Sequence, residues 1–384
     1  MSAGSRLAVV FPRQLEPIHM DKDVGLIPEG LRRRGWEVEL HCTGASAHDW
    51  PVPVEVAPEA ELRDPARWRG RSLQAAVVYT YVVYPEVAEA VRAAGVARVV
   101  GKGDTEGRVD PRLHPRSTLV ETLLRPGTPR ERVLAAASWA ARVGPLHRGR
   151  MRAVQRTVAA SHAFVVETEP ARRQLAEALT RRGAAELAGR LHTLINPVAP
   201  VFTRGEVAAE REPLVVAVGR WDDPQKNAPR LARALREFLA ARPEYRAHVV
   251  GAGAEARFER GPRLSVTRHV EQGELRPLLA RARIVASSSR WESFSLVSHE
   301  GLACGCSVVG PPLAPFVGAT ELGPYGTLAT ERGPAGLAAA LTAEAGAWDR
   351  GERDPRAIAE RWRGLLDVDA VAERLDALLV HPSA

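Results

Sequence analysis

Short apolar runs and helix-patterned segments alternate along this chain in two successive series, and that alternation restricts the fold more than any other feature. The first series opens with RLAVVF at 6–11 and continues with candidate strands at 37–42, 75–79, 97–101 and 163–167. Amphipathic stretches such as DVGLIPEGLRRRG and PEVAEAVRAAG separate them. Residues 196–213, rich in proline and polar side chains, read as a linker. The series then restarts with LVVAVG, the helical APRLARALREFLAA, AHVVGAG, a run near 264–266, the helical ELRPLLARA, RIVASSS, the helical SLVSHEGLACG and CSVVG. Apolar runs of strand length alternating with helix-length segments build parallel sheets covered by helices on both faces. The expected fold class is α/β, with two doubly wound Rossmann-like domains at 1–205 and 206–360 facing a central cleft. A helical segment at 361–384 follows. Ligands of such folds bind outside the carboxyl ends of the strands, so the loops there are the places to look for chemistry.

A chain of 384 residues with 45% hydrophobic and 26% charged residues can bury a sizeable core without a disulfide or metal staple. Aromatic content is 5%, too little for stacking on nucleic-acid bases to be a main activity. Cys42, Cys304 and Cys306 are few and odd in number, which suits a reducing compartment. Cys304 and Cys306 have no neighbours at zinc-ligand spacing, so no metal site is expected. The acidic pair of Asp21-Lys22-Asp23 reads as chance rather than as a metal-binding triplet. The apolar run in MSAGSRLAVVFP is too short for a secretory signal or a membrane span, and the expected location is cytoplasmic.

The net charge of +7 is unevenly spread. Residues 111–160 hold ten arginines against Glu121 and Glu131, a local balance of +8. An anionic acceptor, the inner face of a membrane or a nucleic acid could use such a face, and a solvated arginine-rich helix pair is the plain alternative. No helix-turn-helix, zinc-finger or RNP pattern accompanies it, so a nucleic-acid partner is not expected. Of the 53 basic residues only Lys22, Lys102 and Lys226 are lysines, and all three read as loop residues. A lysine kept against that bias suits a site needing a compact point charge rather than a planar fork.

Two strings in the second half carry the densest chemistry. In RWESFSLVSHEGLACGCSVVG a polar loop runs into a helix near Phe294–Ser295, where first-turn amides and the helix dipole can hold phosphate. Glu292 and Glu300 lie eight residues apart, about 12 Å along a helix axis. That separation suits a ligand with a diphosphate centre and hydroxyls at both ends. Glu292 as a helix cap and Glu300 as a surface residue is the structural alternative. In VGRWDDPQKN, directly after a strand, Arg220 and Lys226 can neutralise a leaving diphosphate; a solvated basic loop is the alternative. His162, Trp139 and Trp362 read as packing residues.

Together these strings resemble the retaining GT-B glycosyltransferases of family 4, and the resemblance implies that the C-terminal helix of 361–384 crosses back to pack on the first domain. The resemblance implies that Arg220 and Lys226 grip the donor diphosphate, Glu292 contacts donor-sugar hydroxyls, and Glu300 holds the ribose. It gives the amides of Ser293, Phe294, Ser295 and Leu296 to the phosphate and places the base near His269 and Val270. The donor is then a UDP- or GDP-linked sugar, with no further cofactor and no metal. The first half departs from the family pattern. His19 and Met20 stand where many members have a glycine pair, and Lys102, Gly103 and Asp104 stand where many have His-Asp. His19, Lys22, Asp23, Lys102 and Asp104 are the first-domain candidates. KDVGLIPEGL resembles members acting on cell-envelope or secondary-metabolite glycans, with a small-molecule or glycan acceptor, anionic or lipid-linked. A sugar-nucleotide epimerase or pseudo-glycosyltransferase on the same fold, and a nucleic-acid binder using 111–160, remain as alternatives.

Overall fold

The computed structural model describes residues 5–124, 128–331 and 333–380. Arg125, one of the ten arginines of the basic stretch, lies outside them. The first sheet contains β1 (Arg6–Leu15), β2 (Glu37–Ala45), β3 (Val54–Val56), β4 (Ala75–Thr80), β5 (Arg98–Gly103), β6 (Ala163–Val166) and β7 (Leu191–Thr193). The second contains β8 (Glu212–Val218), β9 (Arg246–Val250), β10 (Leu264–Thr267), β11 (Ala282–Ala286), β12 (Ser307–Gly310) and β13 (Gly326–Leu328). Strand orders are β3-β2-β1-β4-β5-β6-β7 and β10-β9-β8-β11-β12-β13. Every adjacent pair runs parallel. The expected α/β architecture of two doubly wound, Rossmann-like sheets is what the chain adopts.

The apolar runs form strands because both faces of each sheet are covered. Leu7, Ala8, Val9 and Val10 of β1 are all buried, successive side chains pointing to opposite faces. Leu7 and Val9 join one core cluster while Ala8 and Val10 join the other. Strands β3, β7 and β13 were not expected from the sequence. Each has three residues, too few to show a period.

Two compact units divide the chain. The first comprises Met1–Thr118, Ala137–Ala199 and Asp367–Ala384, and the second Leu119–Ala136 and Pro200–Leu366. These limits differ from the expected domains. The crossing falls at Ala199/Pro200 rather than at 205, because Pro200–Thr203 is already helical. The later boundary at 360 would have cut the helix Pro355–Leu366, which stays whole in the second unit. Leu119–Ala136 groups with the second unit although it lies within the expected first domain.

The last helix, Val368–Val380, belongs to the first unit and completes its core with Val371, Ala372, Leu375 and Leu379. It lies against the helix Asp23–Arg33, where a Cβ on Gly30 would stand 2.8 Å from the Ala372 Cβ. Only a residue without a side chain allows that approach. Asp376 fixes the pairing by accepting from Trp36 Nε1 at 2.8 Å and Arg34 Nε at 3.0 Å.

Strand order reverses at β1/β4 in the first sheet and at β8/β11 in the second. These reversals leave crevices outside the strand ends. The loop after β8 carries Arg220 and Lys226, and the loop after β11 carries Glu292 and Ser295. Because β8 and β11 are hydrogen-bonded neighbours, two strings some seventy residues apart in sequence meet at one sheet edge.

Candidate donor site

The two loops of the second unit are tied together by several hydrogen bonds. Lys226 Nζ donates to Glu292 Oε1. Arg290 N donates to the Gln225 carbonyl at 2.8 Å, and Gln225 Nε2 donates to the Trp291 carbonyl at 2.8 Å. Ser288 Oγ donates to the Lys226 carbonyl at 2.6 Å, and Arg290 Nη2 to Asn227 Oδ1 at 2.8 Å. Lys226, Glu292 and the segment leading into the second helix therefore form one constellation. Gln225, Asn227, Ser288, Ser289 and Arg290 hold it, and the sequence reading gave none of them a role. Gln225 and Asn227 flank Lys226, and Arg290 sits two residues before Glu292. Their pairing depends on the adjacency of β8 and β11, which residue spacing does not show.

Backbone strain concentrates at the same place. Among the described residues three non-glycines have positive φ: Ser72, Asn227 (φ 53°) and Ser295 (φ 63°). Asn227 precedes the helix Ala228–Ala241, and Ser295 precedes Leu296–Ala303. A left-handed residue costs of order 1–3 kcal/mol and persists where surrounding contacts over-determine it. At Asn227 those contacts include the Arg290 guanidinium. At Ser295 they are Ser298 Oγ, 2.9 Å from Ser295 Oγ, and His299, whose Nδ1 lies 3.1 Å from the Ser295 carbonyl.

Glu292 is buried and lies before the helix N-cap, which is Ser295. It also accepts from Ser289 Oγ at 2.8 Å. Glu300, in the second turn, is buried rather than a surface residue. Phe294 is buried and stacks on His299, ring centroids 3.9 Å apart and planes 10° apart, with Trp362 edge-on to His299 at 5.2 Å. Burial pushes the His299 imidazole down to about 4 despite hydrogen bonds to the Ser295 and Phe294 backbone. Ser293, Ser295 and Leu296 remain partly accessible at the tip. A helix start of this kind offers its first-turn amides to an anion.

Arg220 is exposed, and its guanidinium pairs with Asp223 at 3.0 Å. It shares the Lys226 loop, but its partner in this state is a carboxylate of that loop. Trp221 anchors the loop from below, donating through Nε1 to the Val250 carbonyl at 2.8 Å. His269 and Val270 follow β10; His269 is 74% exposed and pairs with Glu271 at 3.1 Å.

In the first unit the candidates separate by environment. Lys102 lies inside β5 and is 2% exposed, which corrects its reading as a loop cation. Its Nζ is 2.7 Å from both Asp23 Oδ2 and Asn196 Oδ1, and 4.0 Å from Glu167 Oε1. The Tyr79 ring lies 5.2 Å from the ammonium, and its hydroxyl donates to the Asp23 carbonyl at 2.9 Å. Burial pulls Lys102 down, but Asp23 and Glu167 outweigh it and leave the ammonium raised. Glu167 is buried, its Oε2 has no hydrogen-bond partner, and burial pushes its carboxyl up to about 8. The sequence reading missed this acid; its string, FVVETEP, reads as an ordinary strand end. Lys22 is the N-cap residue of the helix Asp23–Arg33, and Asp104 is exposed. His19 Nδ1 accepts from Glu16 N at 2.9 Å, and burial with Lys22 nearby lowers its pKa.

The readings of His162, Trp139 and Trp362 as packing residues fit their surroundings. His162 Nδ1 accepts from Val99 N at 3.0 Å, Trp139 Nε1 donates to Thr118 Oγ1 at 3.1 Å, and Trp362 is buried. The three thiols are free and buried, and desolvation raises Cys304 to about 11 and Cys306 to about 12. No group of three or more His, Cys, Asp or Glu residues among those described could hold a metal ion.

Comparison with known proteins converges on glycosyltransferases. Residues 212–343, which include both loops, match the family described as glycosyl transferases group 1. A phosphatidyl-myo-inositol mannosyltransferase of Propionibacterium freudenreichii subsp. shermanii is 34% identical over 106 residues, a match covering 27% of this chain and 27% of the relative. Solved structures align along nearly the full length. Sucrose-phosphate synthase from Thermosynechococcus elongatus has a TM-score of 0.63 at 15% identity, covering 97% of this chain and 98% of its own. Anabaena HepE in complex with UDP and glucose has a TM-score of 0.61 at 16% identity, covering 98% and 99%. The trehalose-6-phosphate synthase OtsA has a TM-score of 0.60 at 12% identity, covering 98% and 99%. The fold is GT-B.

Proposed function

We propose that this protein transfers a sugar from a nucleoside-diphosphate sugar to a hydroxyl acceptor with retention at the anomeric carbon and without a metal ion. The observation that carries the reading is the Lys226–Glu292 pair, held at the start of the strained Ser295 helix within the matching segment. A cation, a buried carboxylate and a helix start converge there, as a phosphate–sugar junction requires.

In this reading Lys226 and Arg220 exchange carboxylate partners for the donor diphosphate, and the amides at Ser293–Leu296 take its oxygens. Glu292, freed from Lys226, accepts from sugar hydroxyls, and Glu300 accepts from the ribose. His269 and Val270 flank the base. The acceptor oxygen bonds to the anomeric carbon on the face the diphosphate leaves, the carbon–oxygen bond to phosphate breaks, and the acceptor proton passes to a phosphate oxygen. Catalysis consists of holding both substrates and stabilising developing negative charge. First-unit residues His19, Lys22 and Asp104 face the acceptor, a glycan or small molecule that is anionic or lipid-linked. The enzyme works in the cytoplasm, at the inner membrane face.

Thermal-shift screening against UDP, GDP, TDP and their sugars tests the donor assignment, since a ligand at 100 times its dissociation constant adds about 2.7 kcal/mol. NMR of the product then reads its anomeric configuration, and assay in a chelator tests metal independence. Silence towards every nucleoside diphosphate overturns the reading, and an isomerised sugar nucleotide replaces it with an epimerase.

A further inference from the structure

Eleven large apolar side chains are exposed among the described residues, and four of them, Val120, Leu123, Val133 and Leu134, fall within Leu119–Ala136. That is a strong concentration for eighteen residues. Val133 is 68% and Leu134 59% exposed. Two helices carry them, Pro115–Leu123 and Pro129–Val143.

Each helix arranges them in the same way. On the first, Arg116, Val120 and Leu123 stand at i, i+4 and i+7, a single stripe of the helix surface. On the second, Arg130, Val133, Leu134 and Ala137 stand at i, i+3, i+4 and i+7, again one stripe. All seven are exposed. An arginine therefore lies about one turn from the apolar side chains on each exposed face. Arg116, Arg130 and Arg132 have no carboxylate partner among the described residues. Glu131 is turned to local use: it accepts from Thr128 N at 2.6 Å and Thr128 Oγ1 accepts from Glu131 N at 3.3 Å. This capping box closes the start of the second helix.

Unpaired arginines beside solvent-exposed valine and leucine require a partner that is both anionic and apolar. A nucleic acid satisfies the charge but leaves the aliphatic side chains in water. A lipid surface satisfies both: methyl groups enter the acyl boundary while guanidinium groups reach back to the phosphates. We propose that the helices Pro115–Leu123 and Pro129–Val143 dock this protein on an anionic phospholipid bilayer. The inference deepens the lipid-linked acceptor reading and rests on it for its purpose. Its test does not depend on catalysis.

The test is flotation of the full-length protein with phosphatidylcholine vesicles, with and without phosphatidylglycerol. Binding is expected only with the anionic lipid and is expected to weaken with salt. Arg130→Gln and Arg132→Gln each lower the partition coefficient about fivefold. Leu134→Ser lowers binding while leaving its salt dependence unchanged, as a purely electrostatic contact would not. All three positions are exposed, so thermal midpoint and nucleoside-diphosphate binding stay at wild-type values. Equal flotation with neutral vesicles, no flotation, or flotation insensitive to Leu134→Ser overturns the inference. So does salt-sensitive DNA binding without flotation, or a dimer that Leu134→Asp dissolves. Nucleotide binding without flotation removes the docking surface alone. Flotation without nucleotide binding removes the donor site alone.

Discussion

Lys226 and Glu292, 66 residues apart in sequence, share a hydrogen bond between Nζ and Oε1, with both side chains largely buried. Each is the charge partner the other needs when no donor is bound, and each is assigned to a different part of the donor. On the proposed reading Lys226→Ala removes the ammonium from the leaving diphosphate, and it takes the cation away from the buried Glu292. The expected loss is roughly 2–4 kcal/mol of transition-state stabilisation, about 30- to 900-fold in kcat. Lys226→Arg, carrying a planar fork beside a carboxylate that now meets a compact ammonium, recovers only part of it. Initial rates with saturating donor decide the matter, and wild-type turnover in Lys226→Ala would remove Lys226 from the donor site.

Glu300 separates binding from chemistry. It sits in the second turn of the Ser295 helix, buried, away from the residue assigned to the reacting sugar. Glu300→Ala is expected to raise the donor KM by about tenfold, the scale of a charged hydrogen bond worth ~1.5 kcal/mol, while kcat changes less. Interactions equal in ground and transition states behave this way. A loss confined to kcat would move Glu300 from the ribose to the reaction centre.

The loop after β8 depends on a glycine outside either motif. Gly251 has φ +126°, and a Cβ there would stand 1.9 Å from the Gly219 carbonyl oxygen. Neither the backbone conformation nor the space admits a side chain. Gly251→Ala should therefore push the Gly219–Lys226 loop away and cost roughly 2–4 kcal/mol, combining left-handed strain with overpacking. Trp221 reports the change, since its indole bonds the Val250 carbonyl and its amide the Ala252 carbonyl. Tryptophan fluorescence during urea unfolding should show an earlier transition with a weaker nucleotide-induced shift.

Much of this could be read from residue order, and some could not. The strands of four or more residues declare themselves as apolar runs, and both candidate-site strings are visible because they follow such runs. What failed was everything set by contacts between distant segments. A proline-rich string conceals the helical turn Pro200–Thr203, and the crossing between the compact units lies six residues before the expected limit of 205. Lys102 reads as a loop cation because its strand, RVVGKG, ends in residues common in loops. Its burial becomes evident only when Asp23, Asn196 and Glu167 are brought around it from three other elements. Arg220 and Lys226 read as equal partners in sequence, yet one holds Asp223 on the surface and the other holds Glu292 in the interior.

The Lys102 cluster makes stability depend on pH in a direction opposite to that of an ordinary carboxylate. Glu167 has its carboxyl raised from 4.5 to about 8 by burial, with Lys102 opposing and Asp104 and Asp23 reinforcing the rise. A raised folded-state value means that the neutral acid favours folding. Its contribution is complete below pH 4.5 and is lost as pH rises through 8. The loss is on the order of a few kcal/mol at 1.36 kcal/mol per pH unit. Glu167→Gln, isosteric and neutral, should keep the low-pH stability of the first unit and remove its decline between pH 4.5 and 8. Thermal midpoints measured across that range check this. A decline identical in both proteins would assign it elsewhere.

His299 acts in the acid range with the opposite sign, and it does so beside Ser295 of the candidate donor site. A carbonyl can only accept, so the 3.1 Å contact with the Ser295 oxygen places a proton on Nδ1. A second proton must then go on Nε2, in a ring stacked on Phe294 and met edge-on by Trp362. Burial accordingly depresses the imidazole from 6.5 to about 4. The neutral ring contributes stability that is present above pH 6.5 and lost as pH falls through 4. His299→Gln offers an amide donor to the Ser295 carbonyl and cannot titrate. It should be less stable at pH 7.5 by roughly 1–3 kcal/mol, from lost ring packing, yet should show a flatter acid limb between pH 6.5 and 4. Because Ser295 holds its left-handed conformation partly through this bond, the variant should also bind nucleoside diphosphates more weakly at pH 7.5, measured by calorimetry. If affinity is unchanged while stability falls, His299 serves only the core, and the helix start keeps its shape through Ser298 and the Lys226–Glu292 pair.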